Sequence, residues 1–106
     1  MFFEIREYRI FNDQMENWVS CMENEIIPFQ VKRGMVILGS FVSQEEDDLY
    51  IWIRRFESES QREELYKAVY ESEYWINEIA PKIPTMMDRP KIVVRRVEAT
   101  PKSVIQ

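Results

Sequence analysis

The chain has 106 residues, 45% hydrophobic and 31% charged, with a net charge of −5, which suits one globular domain with a single core. No basic run offers the counterion release that nucleic-acid binding draws on, and no window approaches the roughly 18 uninterrupted apolar residues of a membrane span, so neither partner is expected. Histidine is absent and Cys21 is the only cysteine, which removes histidine general bases, Ser-His-Asp and Cys-His nucleophiles, histidine-held haem or zinc and any intramolecular disulfide.

The opening segment MFFEIREY breaks its apolar run too soon for a signal peptide, and a lone cysteine suits a reducing compartment. A cytoplasmic protein with no tightly bound metal or organic cofactor is expected. From Phe2 to Ile10 the chain alternates, Phe3 and Ile5 pointing to one side and Phe2, Glu4, Arg6 and Tyr8 to the other, as in a first strand with two unlike faces. Asn12 and Asp13 offer side-chain oxygens to a helix N-terminus. Met15, Trp18, Val19, Met22, Ile26 and Phe29 follow at helical spacing, and Pro28 is expected to kink or restart that helix. Gly34 reads as its C-cap.

Met35 to Ser43 (MVILGSFVS) is a second strand and Ser43 to Asp48 (SQEEDD) a hairpin turn. The acidic run Glu45 to Asp48 lacks the spaced ligands of a calcium loop and reads as a solvated tip. Leu49 to Phe56 is a third strand, with Leu49, Ile51 and Ile53 on one face and Tyr50, Trp52, Arg54 and Phe56 on the other. Ser58 and Ser60 are candidate caps of a second helix carrying Leu65, Tyr66, Val69 and Tyr70. Ser72 re-caps a short helix through Trp75, Ile76 and Ile79 that Pro81 stops. Pro84 to Pro90 is a connection, and Lys91 to Glu98 is the last strand, followed by a tail from Thr100 to Gln106 without a period of its own.

The order strand, helix, strand, strand, helix, strand writes an α+β, ferredoxin-like βαββαβ fold in strand order four, one, three, two, with helices on one face of an antiparallel sheet. The aliphatic faces are expected to pack under the helices. The other face would then leave Glu4, Arg6, Tyr8, Tyr50, Trp52 and Arg54 bare, a patch that needs cover. Two copies closing those faces together by a two-fold axis would make a dimeric α/β barrel with a lined interior, the natural place for a ligand.

Several of these segments resemble one known family. The stretch Glu4-Ile5-Arg6-Glu7-Tyr8 is similar to the opening E-L-R-x-Y of NIPSNAP domains, and Arg33-Gly34 with Leu38-Gly39-Ser40-Phe41 to their helix end and G-x-F strand. Arg54-Arg55-Phe56-Glu57-Ser58 with Arg62-Glu63 resembles the third strand and the start of the second helix, and Ser72-Glu73-Tyr74-Trp75 the small-acidic-x-Trp step. The match runs from about Phe2 to Val97. It implies a single dimeric α/β-barrel domain over 1–106, with 98–106 as a tail. It implies no activity, because the superfamily holds cofactor-free monooxygenases, isomerases, haem enzymes and proteins without assigned chemistry.

Glu4, Arg6, Tyr8, Tyr50, Trp52 and Arg54 are the candidate site. A small anionic or aromatic ligand would meet Arg6 or Arg54 through the planar guanidinium fork and be walled by Trp52 and Tyr50. In the enzyme reading, a cofactor-free monooxygenase or isomerase acting on an enolisable or phenolic substrate, Glu4 or Tyr8 is the acid or base and an arginine stabilises the oxyanion. That reading needs a carboxyl or phenol shifted toward neutrality. In a purely structural reading Glu4 pairs with an arginine and the aromatics fill space. A third possibility is an interaction module that uses the tail. Cys21, with no histidine to activate it, reads as an inert small hydrophobe.

Overall fold

The computed structural model describes residues Met1–Gln106. Strand β1 (Phe2–Arg9) leads through a tight turn into helix α1 (Met15–Cys21), a π-helical stretch (Met22–Ile26) and helix α2 (Ile27–Lys32). Strands β2 (Val36–Val42) and β3 (Leu49–Phe56) form the hairpin, followed by helix α3 (Glu59–Tyr70), a second π-helical stretch (Trp75–Ile79), the single turn α4 (Ile83–Met86), a 3₁₀ turn (Arg89–Lys91) and strand β4 (Val93–Val97). The sheet order is β2-β3-β1-β4, antiparallel throughout, so the ferredoxin-like α+β arrangement expected from the order of periods is the one adopted.

The element ends follow local chemistry. Asp13 takes a left-handed φ of 62° inside a turn closed by Gln14 N–H donating to the Phe11 carbonyl. The helix therefore starts one residue later than a side-chain cap from Asn12 or Asp13 requires, with an N-cap residue, Gln14, whose side chain caps nothing. Pro28 sits in the first turn of α2, where its missing N–H costs least; the widened π turn before it absorbs the ring and the chain runs on. Gly34 ends α2 with φ 107°, as a C-terminal glycine does. Ser58 accepts from Gln61 N–H while the Gln61 side chain accepts from Glu57 N–H, a reciprocal cap.

One expectation is overturned, and it moves the site. Glu4, Tyr8, Tyr50, Trp52, Arg54 and Phe56 are all buried under the chain's own helices, packed in one cluster with Trp18, Met22, Ile26, Val69, Trp75 and Ile79 or hydrogen-bonded to α2 and α3 side chains. The aliphatic residues Ile5, Ile51 and Ile53 lie on the other face, only half covered, beside exposed Val36, Leu38, Phe41, Val93 and Val97. The polar-aromatic face faces helices because α2 and α3 bring the partners that Glu4 and Arg54 require, whereas an aliphatic face asks nothing specific of its cover. A cavity between two sheets, lined by Glu4, Arg6, Tyr8, Tyr50, Trp52 and Arg54, is thereby ruled out. The tail crosses part of the aliphatic face: Ile105, Ser103 and Thr100 lie over Phe3, Ile5 and Ile53, and Arg55 Nη1 donates to the Gln106 carbonyl at 2.9 Å.

The buried aromatics set the stiffness of this layer. Trp18 meets Tyr8 and Tyr50 edge-on, with centroids 5.8 and 5.9 Å apart. Each such ring brings a large apolar area and a preferred geometry, which holds α1 at a fixed height above β1 and β3.

Candidate functional site

Alternation along β1 and β3 places Glu4 and Arg54 opposite one another and side by side beneath α3. Arg54 Nη2 donates to Glu4 Oε1 at 2.9 Å, and both side chains are fully sealed from solvent. Arg62 Nε reaches the other carboxylate oxygen at 2.8 Å, and the Tyr66 hydroxyl donates to Oε1 at 2.8 Å. Arg54 Nη1 in turn donates to Gln30 Oε1 at 3.0 Å and to the Tyr70 hydroxyl at 2.8 Å. Burial pushes the Glu4 carboxyl upward, but hydrogen bonds from Arg62 and Tyr66 and the charge of Arg54 outweigh it and hold the group below its usual range. A carboxylate so compensated stays ionised and is a poor proton acceptor near neutrality.

Beside this network lies a cavity of about 140 Å³ between the sheet and its own helices. Arg6, Tyr8 and Trp52 form its floor, Trp18, Met22, Ile26 and Gln30 come from the first helical run, Tyr66 and Tyr70 from α3, and Trp75, Ile83, Met87, Arg89 and Ile92 close the end. Main-chain bonds pin that closing segment to β1: Phe11 N–H to the Met86 carbonyl and Asp88 N–H to the Arg9 carbonyl. Both π-helical stretches supply wall residues, Met22 and Ile26 from one and Trp75 from the other. Such widened turns concentrate at functional sites, where they re-aim side chains.

Several donors on the wall residues are without partners. The indole N–H groups of Trp18 and Trp52 are buried and have no hydrogen-bond partner, although native interiors satisfy nearly all such donors. Arg6 Nε donates to the Tyr8 hydroxyl at 2.7 Å, which leaves both of its Nη groups unused, and neither Arg6 nor Arg89 makes an ion pair. No aspartate or glutamate lines the cavity. Burial pushes the Tyr8 phenol above its ordinary range, against the opposing charge of Arg6, so Tyr8 keeps its proton.

A larger hollow of about 780 Å³, between the hairpin tip and the start of α1, is lined by exposed Asn12, Asp13, Glu16, Asp47, Asp48 and Lys91. Asp13, Glu16, Asp47 and Asp48 are surface charges, and Asp48 is engaged by Arg9 at 2.9 Å. It encloses nothing, and the smaller aromatic cavity is the better candidate.

Of the six residues singled out from sequence, Arg6, Tyr8 and Trp52 line the cavity. Glu4 and Arg54 stand behind it in the ion network. Tyr50 packs against Trp18, and its hydroxyl is tied to Ser40 in a short hydrogen bond. Trp18, Gln30 and Trp75 were not legible as site residues. Their signal, a tryptophan or amide on the inner stripe of a helix, is also that of ordinary packing.

A family model for NIPSNAP matches residues 3–95. The chain belongs to the NIPSNAP family. Among curated proteins, none matches it. The NIPSNAP fold is shared over the whole chain with protein Atu4242 from Agrobacterium tumefaciens, at TM-score 0.90 and 23% identity, each chain covered 100%. A NIPSNAP family protein, Atu5224, from Agrobacterium tumefaciens is similar at TM-score 0.88 and 22% identity, with 99% of this chain and 98% of that one covered. An antibiotic biosynthesis monooxygenase is more distant, at TM-score 0.69 and 16% identity, with 95% of this chain and 100% of that one covered. At such identities the likeness concerns the fold of NIPSNAP domains and not their chemistry.

Proposed function

We propose that this NIPSNAP protein is a homodimeric binding protein that takes one small organic ligand per chain, in the cavity between its sheet and its own helices. Dimerisation uses the opposite, aliphatic face of the sheet. The reading rests on one observation above the others: two of the tryptophans lining an aromatic cavity, Trp18 and Trp52, carry buried indole N–H groups without partners, and an unsatisfied buried donor costs about 1–3 kcal/mol unless something meets it. The exposed Phe41, Leu38, Val93 and Val97 on the other face support self-association, since a bare apolar patch of that kind is normally covered.

The acid–base enzyme reading gains no support from the titrating groups. Glu4 is held below, and Tyr8 above, its ordinary range, both away from neutrality, whereas a general base or acid works best near the operating pH.

Trp18, Trp52 and Trp75 line the cavity, so intrinsic fluorescence reports occupancy directly. Titration of the full chain with a panel of neutral and charged one-ring compounds is expected to give saturable changes for some members. A panel without any saturable response would end the binding proposal.

A further inference from the structure

The cavity walls offer hydrogen-bond donors almost exclusively, and this dictates the ligand. The Tyr70 hydroxyl accepts from both Arg54 Nη1 and Gln30 Nε2, so its remaining capacity is to donate. Tyr8 accepts from Arg6 Nε, and its proton is likewise left over. The Gln30 carbonyl is taken by Arg54. To these is added the unused Nη edge of Arg6, and the indole N–H groups of Trp18 and Trp52, two residues that line the cavity, have no acceptor in the chain. A chain with a net charge of −5 thus places two arginines without carboxylate partners, Arg6 and Arg89, on one cavity whose other walls are largely aromatic and aliphatic. An amine or a cation would find no carboxylate there to receive its protons, and its charge would meet those of Arg6 and Arg89.

Resting on the binding reading above, we infer that the ligand is a monocyclic aromatic carboxylate, with its ring between Trp18, Trp52 and Trp75 and its carboxylate on the Nη edge of Arg6. The size fits, because an apolar cavity of roughly 150 Å³ accommodates a benzene ring, close to the volume here of about 140 Å³. The charge fits, because a guanidinium edge with two parallel N–H groups matches the two oxygens of a carboxylate. The orientation fits, because Arg6 is half-buried and Arg89 exposed while the tryptophans are buried, which puts the polar end of the cavity toward water and the ring inward.

Benzoate and its isostere benzamide separate this inference from the parent reading. By tryptophan fluorescence and calorimetry on the full chain, benzoate should bind at least about tenfold more tightly than benzamide, whose NH₂ confronts donors. Arg6→Gln should remove roughly tenfold or more of the benzoate affinity and leave benzamide unchanged, with Arg6→Lys recovering part of the loss. Should Arg6→Gln not fold, the benzoate-to-benzamide ratio on the unaltered chain decides alone. Equal or tighter binding of benzamide or benzylamine overturns the carboxylate assignment and leaves the cavity a ligand site. Failure of every one-ring probe to bind overturns both.

Discussion

Arg54 and Glu4 form an ion pair at 2.9 Å in which neither side chain touches water, and the two are not equivalent. Glu4 has a second cation, Arg62, on its other oxygen, whereas Arg54 has no other carboxylate. Removing the acid strands a buried charge; removing the base leaves the acid still compensated. Glu4→Leu is therefore expected to destabilise by about 3–5 kcal/mol, the cost of breaking a buried pair, and Arg54→Leu by less. Urea unfolding of the two variants tests this ordering, and a larger loss for Arg54→Leu would refute it.

The same network sets the acid limit. The folded-state pKa of Glu4 lies below its unfolded value, so the group contributes stability that is present above the unfolded carboxyl pKa of about 4.3 and is lost as pH falls through the folded one. The midpoint of urea unfolding should drop below about pH 4 in the unaltered chain, and the drop should be shallower in Glu4→Gln.

At the alkaline end the sign reverses. Burial pushes the phenols of Tyr50 and Tyr66 up to about 12, above the unfolded value of about 10. Folding thus favours their neutral forms, with that stability complete below about pH 10 and lost as pH rises through about 12. Tyrosinate absorbance should show these two groups ionising with, and not before, the loss of the helical circular dichroism signal.

Gly34 is a separate mechanical constraint. Its φ of 107° lies in the region that side chains resist, and a Cβ there would stand 3.1 Å from Leu65 Cδ2. Gly34→Ala should cost about 1–2 kcal/mol by thermal melting, with no effect on ligand affinity, because neither Gly34 nor Leu65 lines the cavity.

For the dimer, Phe41→Lys places a charge on the aliphatic face at a residue 51% exposed in the single chain. Sedimentation should find a dimer for the unaltered protein and a monomer for the variant, with thermal stability of the monomer retained. Tryptophan quenching would be the wrong probe, since Trp18, Trp52 and Trp75 are already covered within one chain.

The period-two and helical patterns were enough to read the strand order, the two helical segments, Ser58 as one of two candidate caps and the break at Gly34. What they could not supply was which side of the sheet the helices choose. Burying aliphatic residues and exposing charges is the usual rule, and it points the wrong way here because Glu4 and Arg54 neutralise each other and α3 delivers Arg62, Tyr66 and Tyr70 to complete them. The four-residue spacing of Tyr66 and Tyr70 was visible in the sequence. Only its pairing with a charged sheet face turns it from a packing stripe into a set of hydrogen-bond partners. Pro28 marked the restart at Ile27, but the widened turn that precedes it has no sequence signal of its own.

Because one chain's own sheet and helices wall the cavity, occupancy is decided chain by chain. Mixing a copy crippled at Arg6 with intact copies should lower capacity in proportion to the crippled fraction, with no dominant poisoning of the intact copies. Changes to the cavity's preferences need not touch the aliphatic side proposed for self-association.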